Sequence, residues 1–133
     1  MATSVEAAMT MRLPCAVTSV SAARNALQEW LRGRGGSTES IEDARVVISE
    51  MVANSVRHAR PLSDGSILVT WRADGPCVDL AVTDGGSETR PRHVSASSSA
   101  AEGRGIAIID VLAERWWIER TPNRSTVHAR LAI

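Results

Sequence analysis

The sequence of 133 residues contains no lysine, and all fifteen of its basic residues are arginine. This absence excludes a P-loop, because that nucleotide-binding motif needs a lysine to reach the phosphates. Fifteen acidic residues balance the arginines, and the net charge of zero provides no broad cationic field to attract nucleic acid or an anionic membrane surface. We therefore expect neither nucleic acid nor a membrane as a partner.

Cysteines and long apolar runs are also scarce. Cys15 and Cys77 lie far apart, with no other cysteine and no histidine near them at the spacing of metal ligands. No stretch reaches the length of a transmembrane helix, and the N-terminus lacks the apolar run of a signal peptide. We therefore expect a cytoplasmic protein without a disulfide, and the length is that of one domain with a single core.

Apolar residues recur at helical spacing in two segments of the first half of the chain. The first segment runs from Thr18, the expected N-cap, to Leu31, and the glycines that follow it favour an end there. The second begins at Ser37 or Thr38, either of which can cap a helix, and its pattern ends before Pro61. Two amphipathic helices are therefore predicted.

Alternating apolar residues predict strands in the remainder of the chain. A segment rich in Gly, Ser, Ala and Pro over residues 85–105, called the lid here, interrupts them and precedes a third helix from Ile106 to Trp116. The predicted strands are Met11 to Cys15, Ser66 to Arg72, Cys77 to Thr83, Trp117 to Thr121 and Thr126 to Ile133.

This order of elements predicts an α+β fold. Helices, strands, lid, helix and strands in succession suit a two-layer α/β sandwich, with a mixed, mostly antiparallel sheet covered on one face by three helices. Residues 1–10 are small and polar without periodicity, so they are predicted to form a flexible tail, and residues 11–133 to form the domain.

The second helix contains a polar strip within the segment SEMVANSVRHAR, residues 49–60. Glu50, Asn54 and His58 are four residues apart, so their side chains line one strip of the helix beside its buried stripe. A solvated face is the ordinary explanation of such a strip. Asparagine, however, is a mediocre helix former and a poor choice for solvation alone. The strip is therefore a candidate site that needs support from other motifs.

A second polar feature follows the strand of residues 77–83, where Asp84 precedes Gly85 and Gly86. Two glycines after a strand commonly form only a turn. A carboxylate at a strand end, beside glycines that let a flat ring approach the backbone, also suits an exocyclic amine such as that of adenine. The motif alone does not decide between these interpretations.

Glycines occur again where the lid passes into the third helix, in Glu102-Gly103-Arg104-Gly105-Ile106. Backbone N–H groups at a helix N-terminus can bind phosphate, and the helix dipole favours negative charge there. A Rossmann fold is excluded, because Gly105 is predicted to open a helix after a loop rather than after a strand, and no GxGxxG motif is present.

The three motifs, in this order and at these distances, resemble the N, G1 and G2 boxes of the GHKL ATP-binding superfamily, which includes histidine kinases, gyrase, and chaperone and mismatch-repair ATPases. The segments SEMVANSVRHA, VTDGGS and EGRGIAIIDVLAERW carry the resemblance, which extends from about Met11 to Ile133. Within the superfamily, the chain is most similar to the compact histidine kinase-like ATPases of the anti-sigma-factor serine kinase group. The resemblance implies a Bergerat-type ATP-binding fold.

The resemblance also implies roles for the residues of the first two motifs. Asn54 would coordinate a Mg²⁺ ion that bridges the nucleotide phosphates, and Glu50 would be the general base that takes a proton from a serine hydroxyl or from water. Asp84 would accept a hydrogen bond from the adenine amino group, and Gly86 would allow the base to approach closely. The roles of Arg57 and His58 stay open.

The remaining implied residues lie towards the C-terminus. Gly103, Arg104 and Gly105 would form the phosphate-binding end of the lid. Thr126, at the start of the last strand, matches a threonine that supports the adenine-binding Asp84, often through water. ATP and Mg²⁺ are therefore the expected cofactors.

The function implied by the resemblance is that of an ATP-binding regulator, an anti-sigma factor with serine/threonine kinase activity. Such a protein binds a sigma factor and phosphorylates a serine on an antagonist of STAS fold, and a homodimer is expected. The alternative is a catalytically silent, nucleotide-sensing module of the same fold that binds a partner. The sequence leaves both open, because Glu50 is necessary for catalysis but not sufficient.

Overall fold

The computed structural model describes residues 8–86 and 100–133, and for residues 100–105 it describes the backbone alone. Five strands and three helices form this part of the chain. The helices are α1 (Thr18–Gly33), α2 (Thr38–His58) and α3 (Ala100–Leu112), and the strands are β1 (Ala8–Pro14), β2 (Ser66–Asp74), β3 (Cys77–Asp84), β4 (Arg115–Thr121) and β5 (Arg124–Ala132). None of the described helices is long and apolar enough to cross a membrane.

The strands form one sheet in the order β1-β2-β3-β5-β4. Hairpins join β2 to β3 and β4 to β5, and β5 lies between β3 and β4 because α3 crosses over from β3 to the edge of the sheet. All four pairings between the described strands are antiparallel. The sheet that was predicted to be mixed is therefore antiparallel in this part of the chain, since no crossover returns to a neighbouring parallel strand.

The helices of the described part pack on one face of the sheet, as predicted for a two-layer sandwich. Alternate residues of β3, namely Val78, Leu80 and Val82, point to that face and are buried in the core, as their spacing predicted. The intervening residues, such as Asp79 and Ala81, are only partly buried and lie on the opposite face, called the outer face below. Burial of one face thus fixes which β3 side chains can meet the helices.

Helix α2 supplies most of the helical contribution to the core. Ser37 is its N-cap, with the side-chain oxygen accepting a 3.0 Å hydrogen bond from the backbone N–H of Ser40, so the predicted cap is confirmed. The helix ends at His58, before Pro61, as its pattern predicted. The buried side chains of α2 are Ala44, Val47, Ile48, Met51, Val52 and Ser55.

Several boundaries differ from the sequence-based expectation. Residues 8–10 belong to β1, so this part of the predicted tail is a strand paired with β2, whereas residues 1–7 lie outside the described residues. Thr18 is the first residue of α1 rather than its cap, and the cap position, Val17, makes no side-chain hydrogen bond. Trp116, predicted to be helical, lies in β4. Its spacing from the α3 residues fits a helix, but pairing with β5 decides its conformation.

The third helix begins earlier than expected. Residues 100–105, which were predicted as the end of the lid, form the first turns of α3, and residues 87–99 of the lid lie outside the described residues. The correction places the glycines of the third motif inside a helix rather than before one. Tertiary context outweighs the low helix propensity of glycine in this segment.

Candidate functional site

Asp84 is the last residue of β3 and points to the helix-covered face of the sheet, where only 5% of its surface is exposed. Its two carboxylate oxygens are held by different elements. The Ser55 hydroxyl of α2 donates a 2.7 Å hydrogen bond to Oδ2, and the backbone N–H of Gly86 donates a 2.9 Å bond to Oδ1. The carboxylate is therefore fixed between the helix and the turn that follows the strand.

Burial dominates the electrostatics of Asp84. Removal from water raises the pKa of this carboxyl, while the hydrogen bonds from Ser55 and Gly86 and the positive charge of Arg120 act to lower it. Cys15 lies close enough for its thiol to respond: burial raises the pKa of Cys15, and the charge of Asp84 raises it further. The site thus maintains a carboxylate at a position where ionisation is costly.

Two backbone hydrogen bonds tie the loop after α2 to the end of β3. The N–H of Gly85 donates to the carbonyl oxygen of Arg60 at 2.7 Å, and the N–H of Arg60 donates to the carbonyl oxygen of Gly86 at 2.9 Å. A Cβ atom added to Gly85 would lie 2.2 Å from the carbonyl oxygen of Pro61. Only glycine permits this close approach, which fixes the end of α2 against Asp84.

Glu50 and Asn54 lie on α2 and are both half-buried. Asn54 immediately precedes Ser55, so its carboxamide belongs to the same turn of helix that contacts Asp84. Glu50 lies four residues earlier, about 6 Å along the helix axis at 1.5 Å per residue. The structure therefore places the predicted strip of α2 next to the predicted base-binding carboxylate. Arg57 is exposed one turn further on.

Thr126 occupies a different place from the one that the sequence suggested. Its hydroxyl is 2.9 Å from that of Thr83, and the two residues oppose each other across β3 and β5. Because successive residues of a strand point to opposite faces, both hydroxyls lie on the outer face, whereas Asp84 points to the helices. The cross-strand partner of Asp84 is Ser125. The Thr126 hydroxyl, which was predicted to support Asp84, thus contacts Thr83 instead.

The third motif lies near the N-terminus of α3. Gly103, Arg104 and Gly105 have helical backbone within the first two turns of that helix, which begins at Ala100. The first four N–H groups of a helix have no partner within it, and they can bind an anion. In this structure those groups belong to residues 100–103, so Gly103 is the member of the motif that contributes one.

The described residues can be tested for their fit to Mg²⁺ and a nucleotide. They contain no group of three His, Cys, Asp or Glu side chains that could hold a metal, so a cation here would need phosphate oxygens and water besides Asn54. Mg²⁺ commonly binds in this way. A Cβ added to Gly86, whose φ is +92°, would meet no described residue within 4 Å, so the described residues leave space at the turn that holds the Asp84 carboxylate. The described residues therefore fit both a Mg²⁺ ion and a nucleotide.

A cavity of about 410 Å³ lies elsewhere, on the outer face of the sheet. Trp117 stacks on His128 in its wall, with ring centroids 4.8 Å apart, and Asp79 and Arg130 contribute charges. Among the residues whose side chains the structure describes, none from the three motifs lines this cavity. This cavity is therefore separate from Asp84 and from the strip of α2.

Comparison with family models identifies the family of this chain. The family described as "Histidine kinase-like ATPase domain" matches residues 13–131, which is most of the chain. The chain belongs to this family. The resemblance predicted from the three motifs is therefore confirmed, and ATP is the nucleotide that the family uses.

Similar proteins with assigned names show which members of the family this chain is related to. The chain is 30% identical over 118 residues to "Serine-protein kinase RsbW" of Listeria innocua, a match that covers 80% of this chain and 75% of the relative. Proteins of the same name from Listeria monocytogenes match over the same length with the same identity. This member of the histidine kinase-like ATPase family is thus related to the RsbW serine-protein kinases.

Solved structures share the fold. The RsbU and RsbW domains of Rv1364c from Mycobacterium tuberculosis match with a TM-score of 0.74 and 23% identity, covering 94% of this chain and 32% of the longer one. A chain of the SiaB–SiaC complex from Pseudomonas aeruginosa matches with a TM-score of 0.70 and 10% identity, covering 97% of this chain and 92% of that one. At these identities the matches establish the α+β sandwich and no further property.

Two residues of the site were missed by sequence reasoning. They are Ser55, which follows Asn54, and Ser125, which precedes the predicted Thr126. Ser55 could have been suspected as a polar residue within an apolar helical stripe, since a buried hydroxyl needs a partner. Its partner lies 29 residues away, and only the fold brings the two together.

Proposed function

We propose that this protein is an ATP-dependent serine-protein kinase of the anti-sigma-factor type. Its substrate would be a serine on an antagonist of STAS fold, and a sigma factor would be the protein that it holds. The observation that carries the proposal is the hydrogen bond from Ser55 to Asp84, because it brings the Glu50–Asn54 strip of α2 beside a buried carboxylate.

The residues of the strip would act on the substrate and the cation. Asn54 would present its carboxamide oxygen to Mg²⁺, and the Glu50 carboxylate would accept the proton of the attacking serine hydroxyl. When bound, ATP would supply the γ-phosphoryl group that the serine oxygen takes, with ADP as the leaving group, and Mg²⁺ would supply charge neutralisation. Both side chains are half-buried, which keeps them accessible to a ligand while limiting their freedom.

The residues of β3 and α3 would bind the nucleotide. Asp84 would accept a hydrogen bond from the adenine amino group, and the open space at Gly86 would admit the ring. Gly103, Arg104 and Gly105 would lie at the phosphates, where the N-terminus of α3 favours negative charge. Thr126 is left out of this set because its hydroxyl contacts Thr83 on the outer face, and Ser125 takes its place beside Asp84.

The relatives support the choice of partners. The Listeria proteins are named serine-protein kinases, and the Pseudomonas aeruginosa protein was solved in a complex between two proteins, SiaB and SiaC. A module of this fold therefore has a precedent for acting on serine and for holding another protein. The chain's own partners would be a sigma factor, a STAS-fold antagonist and a second copy of the chain.

The test is phosphoryl transfer to candidate substrates. The full chain is incubated with Mg²⁺, γ-labelled ATP and the STAS-fold proteins encoded in the same genome, and the labelled residue is identified by mass spectrometry. We expect label on one serine of one antagonist. In Glu50→Gln the rate should fall by about 100-fold or more, which is the usual contribution of a general base.

The matched control is Glu42→Gln, which alters an exposed glutamate of the same helix that is paired with Arg45. This variant should label the antagonist at the wild-type rate. If Glu50→Gln labels as fast as the wild type, Glu50 is not the base. If no STAS protein is labelled although ATP binds, the chain is a nucleotide-sensing module without kinase activity, and the kinase proposal is wrong.

A further inference from the structure

Ser55 is a buried polar residue to which the proposed chemistry assigns no role. Only 4% of its surface is exposed, and its hydroxyl donates a 2.7 Å hydrogen bond to Oδ2 of Asp84, which is 5% exposed. The other carboxylate oxygen is held by the N–H of Gly86. Among the described residues, each oxygen thus has a donor from a different part of the fold, and the donor from Ser55 is a side chain.

The hydrogen bond from Ser55 to Asp84 opposes the effect of burial on the pKa of that carboxyl. A carboxylate removed from water is destabilised relative to its neutral form unless donors replace the lost water. Burial raises the pKa of Asp84, and the Ser55 hydroxyl is the largest of the interactions that lower it. A hydroxyl–carboxylate bond also fixes the direction in which the free lone pairs of the carboxylate point.

Other groups near Asp84 carry charge or can titrate. Arg120 of β4 lowers its pKa, and the thiol of Cys15 is close enough to respond to the carboxylate charge. His58 lies three residues after Ser55 on α2, and the uncharged Ser125 opposes Asp84 on β5. All of these remain in a variant that lacks only the Ser55 hydroxyl, so a comparison with the wild type isolates that group.

We propose that Ser55 is a positioning residue that keeps Asp84 ionised and aimed at the base, and thereby sets the pH range over which the site selects 6-amino purines over 6-oxo purines. The inference rests on the proposed function, in which Asp84 binds adenine. An ionised carboxylate accepts from a 6-amino group and repels a 6-oxo group. A protonated carboxyl donates to the 6-oxo group instead, so protonation removes the selectivity.

The experiment compares the dissociation constants of ATP and of inosine triphosphate for the full chain between about pH 8 and about pH 5.5, a range that lies above the usual aspartate pKa. The ratio of the two constants is the readout, because the triphosphates are identical and their own titration cancels. In the wild type the ratio should favour ATP and decline as the pH falls.

In Ser55→Ala the decline should begin at a higher pH. At the pH where the wild-type ratio has fallen to half of its value at about pH 8, the ratio in the variant should be at least about threefold smaller than in the wild type, the effect expected from losing one hydrogen bond to a carboxylate. Ser49→Ala is the matched control: it removes a buried hydroxyl of the same helix that has no hydrogen-bond partner among the described residues. Its profile should follow that of the wild type.

Three results separate the possible failures. If the Ser55→Ala and wild-type profiles coincide while Asp84→Asn loses ATP, the role of Ser55 is wrong and the nucleotide site stands. If Asp84→Asn binds ATP as the wild type does, both proposals fail. If Ser55→Ala weakens ATP and inosine triphosphate equally at every pH, Ser55 has only a structural role and the inference is overturned.

Discussion

The N–H of Gly85 donates a 2.7 Å hydrogen bond to the carbonyl oxygen of Arg60, which lies two residues beyond the end of α2. The two backbone segments are so close that they leave no space for a side chain at residue 85. The loop after α2 and the end of β3 therefore form one hydrogen-bonded corner. The first and second motifs of the proposed nucleotide site meet at this corner.

We expect Gly85→Ala to destabilise the protein, because the added Cβ would lie 2.2 Å from the carbonyl oxygen of Pro61. Overpacking against backbone costs about 1–3 kcal/mol, which urea unfolding would measure. Gly33→Ala is the control, since a Cβ there would meet nothing within 4 Å. If the two variants have equal free energies of unfolding, the corner accommodates the added methyl group without losing stability, and the prediction is wrong.

Asp84→Asn should weaken ATP binding by at least about tenfold, or ~1.4 kcal/mol, because an amide is a poorer acceptor for the adenine amino group and also presents a donor. Isothermal titration calorimetry would measure the change. The control is Asp79→Asn, which alters an aspartate of the same strand on the outer face. The assignment of Asp84 would be untenable if both variants bound ATP with wild-type affinity.

The same residue should affect the pH dependence of stability. Burial raises the pKa of Asp84 above 3.8, so the folded protein binds a proton more readily than the unfolded chain does. The contribution of this group to stability is fully present below the unfolded pKa and is lost as the pH rises through the folded value. The Asp84→Asn variant has no ionisable group at this position, so it does not lose stability in this way as the pH rises.

The free energy of unfolding of Asp84→Asn relative to the wild type should therefore increase between about pH 4 and about pH 7. Denaturant unfolding at a series of pH values would measure it. A relative stability that stays constant with pH would contradict the prediction. Together with weaker ATP binding, increased stability at neutral pH would show that Asp84 serves binding at a cost to the fold.

Asn54→Ala should lower the affinity for ATP by at least about tenfold when Mg²⁺ is present and have a smaller effect when the cation is chelated. The difference arises because the carboxamide is proposed to act through the metal rather than on the nucleotide directly. Asn25→Ala, an exposed position on α1, is the control. A loss of affinity that is the same with and without Mg²⁺ would rule out Asn54 as a metal ligand.

Local patterns predicted the helices and strands well. The cap at Ser37, the end of α2 before Pro61 and the burial of alternate residues of β3 follow from short-range rules, and the structure confirms them. The early start of α3 was missed, because the glycines at residues 103 and 105 have low helix propensity and the sequence therefore favours a loop there. The position of Trp116 was ambiguous, since its spacing fits either type of element.

The candidate site was predicted less completely than the fold. The motifs predicted Glu50, Asn54 and Asp84 as site residues, and their roles stay predictions. The bond from Ser55 to Asp84 could not be predicted, because it joins residues 29 positions apart and depends on how α2 crosses β3. The choice between Ser125 and Thr126 depends on the register of β3 with β5. Both residues are hydroxylated, so composition could not distinguish the one that faces the helices from the one that faces outward.

The alternation of Thr83 and Asp84 between the two faces of β3 restricts how this gene can change in length. Insertion or loss of one residue within the strand ahead of Asp84 would turn the carboxylate to the outer face and bring a threonine towards α2, while most of the sheet could still pair. A change of two residues would restore the orientation. In related proteins that still bind nucleotide, insertions and deletions in this strand should therefore involve an even number of residues. An odd number should mark relatives that have lost nucleotide binding.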